Sequence, residues 1–250
     1  MSDVLLVDEP TPGVRRLTLN RPDQRNALSR ELVAELIVQL RRVNTELEVR
    51  VVVVRGNGRA FCAGADLNEH FNREDAMDIG RTPLWDLLET LRVPVVAAVQ
   101  GWAITGGFLL AYCCDVVVAS DDALFRDSHA ALGLMPTGGE SQRMPRRVGA
   151  ALARELMLTS RKFPADEARA AGFVSRVVPR KQLDEAALEI AQQIAANSPD
   201  SVSAIKSLIN RGLETDFGTG LRLEAINNRF GAANNEPNAE REARLRALRG

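Results

Sequence analysis

Two short turns of small residues and one polar tripeptide carry the chemistry that can be read in this chain. The turns are AFCAGAD at 60–66 and AITGGF at 103–108, each following a valine-rich apolar run, and the tripeptide is Asp127-Ser128-His129. Gly106-Gly107 sits where a buried strand gives way to a buried helix. Glycine there permits close approach, and the free N–H groups of a first helical turn favour an oxygen that carries or develops negative charge. By itself a glycine pair reads first as a tight packing turn. If the two preceding strands are neighbours, however, both turns lie at one end of the sheet, where open α/β arrangements bind ligands. The amides of Ala65 and Gly106 then converge on one carbonyl oxygen as an oxyanion hole, with each donor contributing about 3 to 4 kcal/mol. His129 supplies a group that titrates near neutrality, and Asp127 is a carboxylate able to fix its tautomer. A loop histidine is also a common structural element, so both readings stand.

The elements that must position these residues follow from periodicity. Val4–Asp8 and Val14–Leu19 read as a strand pair around Pro10, Pro12 and Gly13. Leu32, Val33, Leu36, Ile37, Leu40, Val43 and Leu47 recur at helical spacing behind Ser29 as N-cap, predicting a helix to about Glu48. The four valines 51–54 predict a strand buried on both faces. Residues 69–80, which include His70, are polar and aperiodic, and predict a surface loop or lid beside the site. A helix through Trp85–Leu91, a strand Val95–Val99, a helix from Gly106 and a strand Val116–Ala119 repeat the alternation. A helix Arg146–Leu158, another over 164–171 stopped by Gly172, and a strand Phe173–Val178 follow. Beyond Pro179 the pattern is helical. The predicted organisation is an α/β core over residues 1–180, with a helical region over 181–250.

Bulk properties exclude several classes. The chain has 250 residues, 45% hydrophobic and 26% charged, with a formal net charge of −1. That is an ordinary globular balance with no global reason to expect nucleic acid or a membrane surface as partner. Cys62, Cys113 and Cys114 are an odd count with two adjacent, which argues against a disulfide framework and for reduced thiols. The N-terminus lacks a signal or transit pattern, so a cytoplasmic location is expected. No Cys/His spacing suggests a metal, and GxSxG, GxGxxG and Walker A patterns are missing.

Several blocks together resemble the crotonase superfamily, the enoyl-CoA hydratases and isomerases: RNALS at 25–29, FCAGADL at 61–67, PVVAAVQGWAITGG at 94–107, CDVVVAS at 114–120, LGLMPTGGESQRMPRRVG at 132–149 and AxxAGFVSRVV at 168–178. The resemblance implies a spiral of ββα turns and a C-terminal helical region that drives a homotrimer or dimer of trimers. It also implies acyl-CoA thioester substrates. No bound cofactor is implied, coenzyme A entering only as part of the substrate. Position by position, it implies that Ala65 and Gly106 hold the thioester oxygen as an enolate forms. Arg25, Ala27 and Ala63 would line the coenzyme A groove, Asp66 would close its loop, and Gly107, Leu109 and Thr137 would bind substrate.

One departure bears on the reaction. The two positions that carry glutamate in hydratases of this family are Leu109 and His129 here. Leucine is neither acid nor base, so the two-glutamate route is absent as written and His129 with Asp127 is its expected replacement. Hydration, isomerisation and carbon–carbon cleavage all stay open. So do a non-catalytic acyl-CoA-binding protein and a β-diketone hydrolase of the same fold. Glu140 matches a family glycine and is expected on the loop surface, with a place facing the site beside His129 as the alternative.

Overall fold

The computed structural model describes residues 3–71, 79–230 and 238–247. In chain order its elements are β1 (Leu5–Thr11), β2 (Val14–Leu19), α1 (Arg30–Val43), β3 (Val51–Gly56), α2 (Leu67–Phe71), α3 (Leu84–Thr90), β4 (Val95–Val99), β5 (Trp102–Ile104), α4 (Gly106–Tyr112), β6 (Val116–Ser120), β7 (Leu124–Arg126), α5 (His129–Leu132), α6 (Glu140–Val148), α7 (Ala150–Thr159), β8 (Phe163–Pro164), α8 (Ala165–Ala170), β9 (Arg176–Val178), α9 (Leu183–Ala195), α10 (Pro199–Gly212), α11 (Phe217–Phe230) and α12 (Asn238–Ala247). Six strands form one sheet in the order β1-β2-β3-β4-β6-β9. Only the β1–β2 pair is antiparallel. A smaller sheet stacks β5, β7 and β8.

The valine run of β3 is buried on both faces, as expected for a parallel strand between covering layers. Val52 and Val54 join the main core with α1, α3 and α4. Val51 and Val53 face the other way, with Val14, Val96, Ala98 and Val118, onto Leu183, Ala186, Ala187 and Ala191 of α9. The first helix beyond residue 181 is therefore the lid on the second face of the sheet. Because β3 and β4 are parallel neighbours, the turns that follow them emerge at the same sheet end.

Two expectations need correcting, each for a local reason. The helix begun by Ser29, whose Oγ accepts from Leu32 N at 3.2 Å, ends at Val43 and not near Glu48. The Arg92 guanidinium donates to the carbonyls of Val43, Glu46 and Val49 at 3.0 Å each, and so holds a non-helical turn there. The helix expected over 146–158 is two helices, α6 and α7, parted at Gly149 with φ +80°. β5, β7 and β8 have two or three residues each, too few to show a period. Most of the segment read as a lid, residues 72–78, and the side chain of His70 lie outside the described residues.

Candidate active site

The turn carrying Ala65 is held between two neighbours. On one side Leu28 N donates to Gly64 O at 2.7 Å, and Leu28 O accepts from Asp66 N at 3.1 Å. Alternation along an extended segment therefore turns the intervening Ala65 N–H away from residues 25–28. On the other side Cys62 O accepts from Ile104 N and Cys62 N donates to Trp102 O, both at 3.0 Å. These bonds bind the first turn to β5 and to the start of α4.

Gly64 (φ +92°) and Gly107 are required by that closeness. A Cβ on Gly64 would stand 2.7 Å from Ile104 O, and one on Gly107 would stand 2.1 Å from Cys62 O. The Ala65 and Gly106 amides end up side by side: the Cβ direction of Gly106 passes 3.5 Å from Ala65 N, and that of Gly64 passes 3.4 Å from Gly106 N. Among the described residues neither N–H has a hydrogen-bond acceptor. Gly106 opens α4, where the first amides are free for an anion. Cys62 lies beneath the turn, but burial pushes its thiol up to about 12, so it is inert at neutral pH.

Residues that periodicity and motif spacing passed over brace this arrangement. Arg21 Nη2 pairs with Asp66 Oδ2 at 2.9 Å, and its Nη1 donates to Ala27 O at 2.6 Å. Asp66 also accepts from Asn68 N at 3.1 Å, capping α2. Buried Asn26, at φ +57°, accepts from Arg21 N and donates to Asn57 O and Ala60 O, each at 2.9 Å. An Asn tolerated in the left-handed region was the signal available here. Arg25 is exposed beside them, and its carbonyl accepts from Ala63 N at 3.0 Å. Ala27 is buried, and Ala63 half-buried.

The polar tripeptide reaches the same place through Thr105, the residue before Gly106. Thr105 has φ +49°, uncommon for a β-branched residue, and its Oγ1 lies 2.5 Å from Ser128 Oγ and accepts from Ser128 N at 3.2 Å. The N-terminus of α4 is thereby latched to the residue preceding His129. Asp127, 2% exposed, places Oδ1 3.0 Å and Oδ2 3.2 Å from His129 Nδ1, and Oδ1 also accepts from His129 N at 3.0 Å. Nδ1–H is thus committed to Asp127, and Nε2 is the atom left for chemistry.

Glu140 requires a correction. It is 3% exposed, not on the loop surface, and its Oε1 lies 4.0 Å from His129 Nε2. Gly139, left-handed at φ +85°, turns the chain so that Glu140 begins α6 facing inward. Leu109 is fully buried against Gly138, and Thr137 is exposed on the same loop, touching Gly80.

Burial alone would lower the His129 pKa, but the hydrogen bond and charge of Asp127, with the charge of Glu140, overcome it and raise the value. The stability that the charged ring contributes is complete below the unfolded value near pH 6.5, about the model-peptide figure, and disappears as pH rises through the higher folded one. Asp127→Asn should therefore bring the imidazole pKa down. A proton-NMR titration of the ring, assigned with a His70 variant, reads this directly. An unchanged or higher value would mean that Asp127 does not support the imidazolium. Burial raises the Glu140 pKa, partly offset by the Glu140 and Gly138 amides and by His129. Among the described residues no group of His, Cys, Asp and Glu could hold a metal, and no helix is long and apolar enough to cross a membrane.

Comparison with known proteins gives this geometry its context. The family profile described as Enoyl-CoA hydratase/isomerase matches residues 9–236. The chain is 40% identical over 210 residues to the 2,3-dehydroadipyl-CoA hydratase of Escherichia coli, covering 83% of this chain and 82% of the relative. It is also 40% identical over 224 residues to an Arabidopsis thaliana protein named "Probable enoyl-CoA hydratase 1, peroxisomal", covering 89% and 84%. The solved enoyl-CoA hydratase of Bacillus anthracis superposes with a TM-score of 0.85 at 38% identity, covering 89% of this chain and 88% of that one. The chain belongs to the enoyl-CoA hydratase/isomerase family of the crotonase superfamily.

Proposed function

We propose that this enzyme binds an enoyl-CoA or related acyl-CoA thioester, polarises its carbonyl between the amides of Ala65 and Gly106, and moves protons at the α-carbon with His129. The observation that carries the reading is the pair of amides without acceptors among the described residues, latched through Thr105 and Ser128 to an imidazole whose other nitrogen is held by Asp127. The α-proton of a thioester is weakly acidic. Two fixed donors aimed at the developing enolate oxygen stabilise the transition state more than the ground state, which is the condition for catalysis. Exposed Arg25, with the backbone of Ala27 and Ala63 beside it, offers a cationic and sterically open edge for the phosphates of coenzyme A.

The expected result is exchange of the α-protons of butyryl-CoA in D2O, followed by NMR, and turnover of crotonyl-CoA, followed by loss of its conjugated absorbance. Tight binding of both thioesters with neither exchange nor turnover would reduce the chain to an acyl-CoA-binding protein. Activity on a β-diketone that coenzyme A does not inhibit would point to hydrolysis instead.

The oligomer belongs to the same proposal. Ile205, Ile209, Leu213, Phe217, Leu221 and Ile226 of α10 and α11, and the turn between them, are exposed, Phe217 by 82%. An exposed apolar set of this kind on two neighbouring helices suits a subunit contact, here a homotrimer or a dimer of trimers.

A further inference from the structure

We infer that Glu140 is the second acid/base residue of this site, a carboxylate delivered from α6 to stand beside Leu109 and opposite His129. The inference rests on the reading of the Ala65 and Gly106 amides given above and extends it to the addition of water.

The position of the carboxylate is over-determined. Its Oε2 accepts from Gly138 N at 3.0 Å, which leaves Oε1 directed toward His129 Nε2. The Cβ direction of Gly138 ends 2.3 Å from Leu109 Cδ2 and 3.3 Å from Glu140 Oε1, so the carboxylate stands next to the leucine methyl. Leu109 lies one helical turn after Gly106, on the same face of α4. The carboxylate therefore lies on the side of α4 that carries Gly106 and Leu109.

The carboxylate is also not neutralised in the way a structural one would be. The guanidinium of Arg143, on the same helix, is committed to Glu89 through Nε and Nη2 at 2.7 Å each and to Gly138 O. Among the described residues the one ion-pair partner of Glu140 is His129, and the gap of 4.0 Å exceeds a hydrogen bond. A nearly buried carboxylate at that distance from an imidazole has not been placed there to form a tight pair. It is placed to share a proton with something between them.

The pair completes a balanced hydration. Glu140 carboxylate takes a proton from water as the water oxygen bonds to Cβ of the enoyl thioester. The Cα=Cβ electron pair moves onto the thioester oxygen as an enolate, held by Ala65 N–H and Gly106 N–H. The enolate collapses by taking a proton at Cα from the His129 imidazolium. The proton on Glu140 then returns to His129, restoring both groups, with one water added across the double bond. Asp127 keeps the imidazole charged until it donates, and burial makes Glu140 a stronger base than an exposed carboxylate.

The test compares Glu140→Gln and Glu140→Asp with the unmodified protein, using crotonyl-CoA hydration and α-proton exchange of butyryl-CoA in D2O. Glu140→Gln should lower hydration by about 100-fold or more, in kcat rather than KM, while exchange, which needs no water activation, falls by less than about tenfold. Glu140→Asp should recover part of the hydration rate. The acid limb of the hydration profile should be present in the unmodified protein and lost in Glu140→Gln. The charged and titratable groups facing this carboxylate are His129 and Asp127 from the β7–α5 segment, Tyr112 of α4 and Arg143 of α6, and all remain in the variant. Hydration unchanged in Glu140→Gln, or hydration and exchange lost in equal measure, overturns the assignment of Glu140 alone. Exchange and hydration both missing from the unmodified protein overturn the reading of the amides and this inference with it.

Discussion

A single methyl group on Gly107 is expected to cost both the fold and the activity, whereas a methyl on Gly106, one residue earlier, is expected to cost activity alone. The Gly107 Cβ would be placed 2.1 Å from Cys62 O and 2.8 Å from both Cys62 C and Cys62 Cβ. Those are main-chain atoms and a Cβ, and Cys62 is fixed from both ends by its bonds to Trp102 and Ile104. Relief requires the turn at 60–66 to part from α4 as a unit. Overpacking of this kind costs about 1 to 3 kcal/mol, and a displacement near 1 Å at a reacting centre costs about 100-fold in rate. In a chain of this size the first figure corresponds to a fall in Tm of about 3 to 10 °C. The Gly106 Cβ meets Leu28 Cδ1 at 3.3 Å, the end of a side chain able to move, and at ordinary contact Ala65 N at 3.5 Å and Gly64 Cα at 3.6 Å. Gly106→Ala should therefore keep Tm within about 2 °C while its methyl crowds the ground in front of the Ala65 amide. Turnover should fall by about 100-fold or more, the scale of losing one oxyanion donor. Thermal denaturation of the two variants beside crotonyl-CoA turnover makes the comparison. A Gly107→Ala protein as stable as its parent would show that the two turns are not locked as described.

What was legible in the sequence and what was not divides along the range of the forces involved. β2 and β4 have the bounds that their apolar runs gave, and Ser29 caps α1, because burial on both faces and a side chain bonding three residues ahead leave local marks. The two small-residue turns were legible for a related reason: only glycine or alanine fits where Cys62, Ile104 and Gly107 come within a carbon atom's width. The braces were not. Arg21 to Asp66 and Thr105 to Ser128 join residues distant in sequence whose partners are chosen by the packing of the sheet end. Glu140 shows the limit most clearly. Its neighbours in sequence suggest a solvent-facing loop, and what turns it inward is a left-handed Gly139 together with an Arg143 drawn away to Glu89. The same arginine, spent on Glu89, leaves that carboxylate to face the histidine.

His129→Ala is expected to remove catalysis while leaving thioester binding in place, and its side effects identify what the imidazole does. Loss of a general acid/base lowers kcat by about 100- to 10,000-fold. The Kd for a saturated acyl-CoA should change by less than about threefold, because the Ala65 and Gly106 amides and the edge formed by Arg25, Ala27 and Ala63 do not depend on the ring. Stability should fall as well. Asp127 is 2% exposed, and without the ring its carboxylate keeps, among the described residues, the backbone N–H of residue 129 alone, a buried charge with most of its pairing gone. That loss confuses any variant made at position 129 alone. The double variant His129→Ala with Asp127→Ala removes the stranded charge, so it should recover Tm relative to His129→Ala while recovering none of the turnover. Restoration of rate along with stability would mean that the histidine serves the fold and that the proton at Cα is handled elsewhere. Stability restored and rate still missing, with α-proton exchange absent in both variants, assigns the proton to Nε2, the one ring atom that Asp127 leaves free.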